Sequence, residues 1–256
     1  MKTIILVAAA VMGAAFAYGQ DEGTPVAISG KIIFEEKVKL EISFEGDAAL
    51  ADMLPKERKT QKELLFRDGI TLFRESRSAD EEMTMEHSEG VRIRMVGSGQ
   101  NIIFTDVVNG QVTEKRDFMN RIFIVERDIP AMKWKITGNN KELLGYNCLE
   151  ALSTDTTGRI TSVWFAPEFG AKGGPAMLSG LPGMVLEANL NDGMRTYVAK
   201  AVEPLSKDEM KLEKPTDGKR VTEEEYEAIV AEKMKEMGME EGNAGGGGHV
   251  RIVIKR

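Results

Sequence analysis

Three residues in an acidic stretch of the chain could bind a soft metal ion. Met83, Met85 and His87 alternate along the sequence, so in an extended strand two thioethers and an imidazole would point to one side. These are ligands that suit Cu(I). Methionine is abundant, however, with 15 copies, and such a segment is typical of an ordinary exposed loop or strand. We therefore predict no metal and no cofactor, with a periplasmic copper-handling protein using these residues as the alternative hypothesis.

The residues that catalysis by a nucleophile and a base requires are scarce. The chain has two histidines, His87 and His249, and no Gly-x-Ser-x-Gly motif. Its single cysteine, Cys148, lies in an alternating apolar stretch, which indicates a buried structural thiol. The carboxylates from Asp80 to Glu89 form a charge run that is typical of a solvated loop rather than of an acid/base pair in a cleft. The sequence therefore predicts that the protein is not an enzyme.

The first residues are typical of a secretory signal peptide. Lys2 is followed by an apolar and small-residue run from Ile4 to Phe16, which is too short to span a bilayer. We expect a signal peptide at 1–19 with cleavage before Gln20, or before Tyr18 as the second choice, and a periplasmic or secreted mature chain without a membrane span. With 34 basic and 41 acidic residues, the formal net charge is −7, which argues against nucleic acid as a partner.

Alternating apolar residues dominate the chain from about Ile32 to residue 203. The first run places one parity of residues on a buried face: Ile32, Phe34, Val38, Leu40, Ile42 and Phe44. Turn sequences at Asp68-Gly69, Asn109-Gly110 and Asn191-Asp192-Gly193 separate later runs and favour hairpins. About nine or ten strands without alternating helices predict a mainly β protein. Because a flat sheet would leave a wide apolar face exposed, we predict a curved antiparallel meander, either half-barrel or barrel-like.

The chain changes character after Pro204. Residues 206–237 are expected to form a charged linker followed by an amphipathic helix, because Thr222 and Glu225 have the spacing of a capping box. Apolar residues at helical spacing extend this helix from about Glu223 to Met237. Residues 238–256 form a glycine-rich tail that ends in a strand-like segment. That segment is expected either to pair with a sheet edge or to remain free.

A short signature near residue 180 carries a family resemblance. Residues 179–187 have the sequence Ser-Gly-Leu-Pro-Gly-Met-Val-Leu-Glu, which resembles the signature of the GLPGLI family of secreted bacterial proteins. Three further motifs precede it, in the order in which the family has similar motifs: Gly145-Tyr146-Asn147-Cys148, Trp164-Phe165-Ala166-Pro167 and Gly174-Pro175. The resemblance covers roughly residues 28 to 203, within a β domain that we place at 20–205. It implies a secretion signal and a predominantly β body, and it carries no activity, substrate or cofactor.

The signature has a structural and a functional interpretation. As a tight turn, it would use Gly180 and Gly183 for backbone angles closed to other residues, while Leu181 enters the core. A glycine-rich loop of roughly 15 residues is, however, often functional. A ligand or partner site here would comprise Trp164, Phe165, Gly180, Leu181, Pro182 and Gly183. We predict a non-enzymatic β protein that binds an apolar small molecule or a cell-envelope protein through its curved sheet or this loop.

Overall fold

The structure is a computed structural model that describes residues 28–44, 56–76, 84–86, 92–94, 101–236 and 250–253. The predicted signal peptide lies outside these residues. So do Met83 and His87 of the copper hypothesis and the glycine-rich part of the tail at 238–249.

Twelve of the described strands form one large sheet. In chain order they are β1 (Ser29–Lys39), β3 (Glu57–Arg67), β4 (Ile70–Glu75), β7 (Ile102–Asp106), β8 (Gln111–Phe118), β9 (Arg121–Asp128), β10 (Lys135–Leu143), β11 (Tyr146–Thr154), β12 (Ile160–Ala166), β13 (Met184–Leu190), β14 (Arg195–Glu203) and β15 (Lys219–Val221). Their spatial order is β10-β11-β12-β13-β14-β1-β3-β4-β7-β8-β9-β15. Two separate pairs join β2 (Glu41–Phe44) to β16 (Val250–Val253) and β5 (Thr84–Glu86) to β6 (Arg92–Arg94).

The alternation in β1 defines the two faces of the central strands. Ile32 is buried and lies directly opposite Leu64 of β3, so both point to one side. We call this side the inner face. The opposite side, the outer face, carries a row of directly paired residues on β3, β4 and β7: Leu65, Leu72 and Phe104. All three predicted hairpins form, as the antiparallel pairs β3–β4, β7–β8 and β13–β14.

The sheet is strongly curved, and its two end strands do not pair with each other in the described residues. The ring of Phe169 lies 5.6 Å from that of Phe66 on β3 and 4.6 Å from that of Tyr146 on β11. These strands are five positions apart, or about 24 Å in a flat sheet, so the sheet curls around this ring. The predicted fold class, a mainly β curved meander with a C-terminal helix, is confirmed. The sheet departs from a purely antiparallel one because β15 joins β9 in parallel.

Residues 204–221, which we call the strap, cross the outer face after β14. Leu205 and Leu212 pack against the row of Leu65, Leu72 and Phe104. This segment was expected to be a charged linker. It instead covers the sheet and ends as β15, because its few apolar residues meet an apolar row that would otherwise face water.

Charged residues fix the strap along its length. The Lys31 ammonium on β1 lies 3.3 Å from the Glu209 carboxylate, and the Lys214 ammonium lies 2.8 Å from the Glu126 carboxylate on β9. The strap therefore runs from one side of the outer face to the other.

The strap leads into the α-helix α1 (Glu223–Glu236), close to its predicted span. The predicted capping box is confirmed: the Glu225 amide donates to Thr222 Oγ1 at 3.1 Å, and the Thr222 amide donates to Glu225 Oε2 at 3.0 Å. Tyr226 is the buried anchor of the helix, and its ring lies 5.5 Å from that of Phe123 on β9. The chain has thus passed around the β15 edge to reach the inner face.

The strand-like segment of the tail was expected to pair with a sheet edge or to remain free, and it instead forms a two-stranded sheet of its own. Its partner is β2, in antiparallel register with Val250 opposite Phe44. β2 follows β1 after Leu40 and belongs to a separate two-stranded sheet with β16, so the segment does not pair with an edge of the large sheet.

Candidate functional site

The loop between β12 and β13, residues 167–183, lies over the inner face of the sheet. Phe169, Leu178 and Leu181 are buried in the same core as Phe66 and Phe73. The sulfur of Met177 accepts a contact from Arg127 Nη2 on β9 at 3.0 Å, so the loop also reaches the far half of the sheet. The curved face that was a candidate ligand surface is therefore filled by the chain's own side chains.

The two glycines of the signature are needed for different reasons. Gly180 has a φ of +85°, a conformation that favours glycine, as the turn interpretation requires. Gly183 has no positive φ, and its role is close packing. A Cβ atom placed there would lie 2.2 Å from the carbonyl oxygen of Ala166 and 2.9 Å from the Cα of Pro167. The signature therefore packs its backbone directly against the end of β12.

The structure does not bring the six predicted site residues together on one surface. Phe165 is fully buried and Leu181 is 5% exposed, whereas Gly180 and Pro182 are exposed. The loop is fixed by a contact that the sequence did not indicate, in which Trp134 Nε1 donates to the carbonyl oxygen of Ser179 at 2.7 Å. These positions support a structural role for the signature turn.

Trp164 occupies a separate position, on the opposite side of β12 from its neighbours Val163 and Phe165. It is half-buried, whereas both neighbours are fully buried. The Lys141 ammonium lies 4.3 Å from the centre of the Trp164 ring and 2.7 Å from Glu187 Oε2. A cation over the indole and a carboxylate beside the cation hold this part of the surface in one arrangement.

More polar side chains are ordered next to Trp164. Glu150 and Glu187 are its direct cross-strand neighbours on β11 and β13. Glu150 Oε2 accepts a hydrogen bond from Thr137 Oγ1 at 2.8 Å and from Asn139 Nδ2 at 2.7 Å. We call Thr137, Asn139, Lys141, Glu150, Trp164 and Glu187 the Trp164 surface. Sequence reasoning found only the tryptophan, because the other members come from three strands whose register it did not fix.

One buried glutamate on the inner face is hydrogen-bonded and ion-paired. Glu36 is 4% exposed and accepts a hydrogen bond from the Tyr197 hydroxyl at 3.0 Å. The Lys62 ammonium lies 3.6 Å from the second oxygen of Glu36. Burial, followed by the charge of Glu36, raises the pKa of Tyr197 above its ordinary value, so the phenol remains a proton donor to this carboxylate.

A second group of charges joins α1 to the sheet. Arg116 of β8 makes a bidentate pair with Glu223 of α1, with distances of 2.7 and 2.8 Å, and its Nε donates to Glu114 at 3.0 Å. Arg127 of β9 also contacts both Glu114 and Glu223. Burial lowers the pKa of Arg116, but its bonds to Glu223 and Glu114 outweigh burial and raise that pKa. These ion pairs join α1 to β8 and β9 of the sheet.

The single thiol is shielded. Cys148 is fully buried, and burial raises its pKa to about 11, so a reactive thiolate is disfavoured near neutral pH. Across the parts of the chain that the structure describes, no three side chains of histidine, cysteine, aspartate or glutamate are grouped as metal ligands would be. Met83 and His87 lie outside those parts, so the copper alternative gains no support.

No helix within the described ranges has both the length and the apolar character that crossing a membrane requires.

The fold is similar to that of PNGF-II in two crystal forms. The first comparison has a TM-score of 0.55 and 17% sequence identity, and it covers 80% of this chain and 33% of the other. The second has a TM-score of 0.51 and 16% identity, with 78% and 33% coverage. At such identities the likeness concerns the fold alone. The chain spans about a third of the length of PNGF-II.

Sequence comparison gives the family. No curated protein matches the chain. The family model described as "N-glycanase peptide, N-terminal domain" matches residues 79–227, a span that includes the described strands from β5 to β15 and the start of α1. Because this match covers more than half of the chain, the protein belongs to the N-glycanase peptide N-terminal domain family.

Proposed function

We propose that this chain is a non-enzymatic binding module and that it recognises a cell-envelope or secreted protein through the Trp164 surface. The observation that carries the proposal is the half-buried indole of Trp164, held beneath Lys141 and flanked by ordered carboxylate, amide and hydroxyl groups. Tryptophan is enriched among the residues that dominate binding energy at protein interfaces. Side chains that are already ordered lose less entropy when a partner binds.

The geometry favours a protein partner over an apolar small molecule. The inner face, which could have enclosed such a ligand, is occupied by Phe169, Leu178 and Leu181. The outer face of the β3–β7 part of the sheet is covered by the strap. The Trp164 surface is flanked by β10, most of whose residues are exposed, so it offers a broad and polar contact area, as is typical of a protein interface.

A photoreactive residue at Ser162 tests the proposal in cells of the native host. Ser162 lies two residues before Trp164 on the same side of β12. We expect illumination to produce one discrete cross-linked protein, identified by mass spectrometry. Trp164→Ala should reduce its yield about tenfold or more, which is the effect of losing an interface hot spot.

Two further variants control this experiment. A photoreactive residue at Asn109, an exposed turn position, should give no such product. Ile160→Ala changes an exposed apolar residue of the same strand and should leave the yield unchanged. An adduct that forms equally in the Trp164→Ala protein, or no adduct at Ser162, would refute the assignment of this surface.

We further propose that the mature chain starts at Gln20 and is periplasmic or secreted. The support is the charged, apolar and small-residue order of residues 1–19. Intact-mass measurement of the protein from its native host checks this, and we expect the mass of residues 20–256 in the extracytoplasmic fraction. A mass that includes Met1 would contradict the proposal.

We also propose kinship with the GLPGLI proteins. The signature residues support it by their positions, since Gly180 adopts the positive φ, Leu181 is buried and Gly183 packs against β12.

A further inference from the structure

Two arginines flank the end of β1 on the inner face of the sheet. Val38 is paired with Arg58 of β3 on one side and with Arg195 of β14 on the other. Directly paired residues point to the same side, so both guanidinium groups lie on the side of the buried Val38. Their Cα atoms are about 10 Å apart, two strand spacings, a distance that two arginine side chains can bridge.

The next row along β1 supplies the surrounding charges. Glu36 is paired with Thr60 and Tyr197, and Arg195 Nε lies 3.5 Å from Glu36 Oε1. The Lys62 ammonium contacts Glu36 and, at 3.3 Å, Glu75. Two carboxylates thus face Lys62 and Arg195, and the charge of Arg58 adds a net positive charge to this end of the inner face.

Arg58 differs from these neighbours because its guanidinium group has no hydrogen-bonding or charged partner among the described residues. Its side chain makes no ion pair or hydrogen bond with any residue in the described ranges, and its Nε atom is shielded from solvent. Arg195 Nε is also shielded, and it makes no hydrogen bond but forms an ion pair with Glu36 Oε1 at 3.5 Å. A shielded donor of a permanently charged group costs free energy when it stays unpaired. Arg58 thus places an unpaired shielded donor on the same face and row of the sheet as Arg195, whose Nε makes no hydrogen bond and contacts Glu36 only at ion-pair distance.

We propose that this row binds an oxyanion, the carboxylate or phosphate group of a small ligand, between Arg58 and Arg195. The planar guanidinium fork matches the oxygen geometry of either group. This site is independent of the Trp164 surface. It forms a locally positive region on a protein whose formal net charge is −7.

Calorimetric titration of the full chain with sodium phosphate and with sodium acetate tests the site, using sodium chloride at equal ionic strength as the reference. We expect saturable binding of at least one oxyanion, and the stronger of the two identifies the ligand group. Arg58→Gln should weaken that binding about tenfold or more. Lys59→Gln is the matched control, because Lys59 is exposed and lies on the opposite side of the same strand, and it should leave the binding unchanged.

Stability measurements separate a ligand site from a structural role. In chloride buffer, Arg58→Gln should melt at the temperature of the parent or above it, since it removes an unpaired shielded charge. Arg58→Lys should keep the fold but bind more weakly than the parent, because lysine lacks the fork. Binding of neither anion, equal binding by Arg58→Gln and Lys59→Gln, or unfolding of both Arg58 variants in chloride buffer would each overturn the proposal.

Discussion

Gly183→Val should destabilise the protein by about 3 kcal/mol or more, at the upper end of overpacking effects. A Cβ at this position would lie 2.2 Å from the Ala166 oxygen, 2.7 Å from the Ala166 carbonyl carbon and 2.9 Å from Pro167 Cα. All three are backbone atoms, so no side chain can rotate away, and the end of β12 or the start of β13 has to move. Chemical denaturation of parent and variant, compared at their midpoints, measures the effect.

Two variants in the same turn calibrate this result. Gly180→Ala introduces a side chain at a φ of +85° with no atom closer than 3.5 Å, so it should cost about 1 to 2 kcal/mol through backbone strain alone. Leu181→Ala removes a buried core side chain and should cost about 2 to 5 kcal/mol. A Gly183→Val midpoint equal to that of the parent would show that β12 and β13 separate easily, contrary to the packing described.

Glu114→Ala should destabilise the protein by about 3 to 5 kcal/mol, the usual cost of breaking a buried ion pair by removing one partner. Glu114 is 7% exposed and is shared by Arg116 and Arg127. Without it, two arginines would depend on the single carboxylate of Glu223. Thermal and chemical unfolding measure the loss. Amide hydrogen exchange should show increased opening of α1, because Arg116 joins this helix to β8.

The matched control is Glu126→Ala on the neighbouring strand. Glu126 pairs with Lys214 and Arg220, but its side chain is 37% exposed, and exposed pairs contribute about 0 to 1 kcal/mol. If Glu114→Ala and Glu126→Ala lose similar stability, burial does not set the strength of the Glu114 cluster.

The strands and hairpins were predictable because their information is local. Ile32, Phe34 and Val38 alternate with charged residues in β1, and Asp68-Gly69 identifies the turn between β3 and β4 without reference to distant residues. The inward orientation of Glu114 and Arg116 was not predictable, because the side chains that neutralise them, Arg127 and Glu223, come from other elements. A polar residue in a strand indicates an exposed face unless its partners are known.

In the candidate site, too, features set by local sequence were predictable and features set by distant residues were not. Burial of Cys148 was predicted from apolar alternation, and burial of Leu181 from the turn interpretation of the signature. The need for glycine at position 183 was predicted for the wrong reason. The prediction was a special backbone angle in the turn, whereas the structure shows a close approach to the end of β12, which depends on strand register. The neighbours of Trp164 could not be assigned either, because Lys141 and Glu187 reach it from β10 and β13.

The strap has a consequence for the order in which the domain is completed during synthesis. Lys219 pairs with Phe123, so the last strand of the sheet is made long after the strand that it borders. Until residues 204–221 have emerged from the ribosome, the edge of β9 that later pairs with β15 is open. The row of Leu65, Leu72 and Phe104 is then not covered by the strap. Such nascent species carry an open sheet edge next to an apolar patch, the combination that promotes aggregation. A chain interrupted before the strap should therefore depend on chaperones in a way that the finished protein does not.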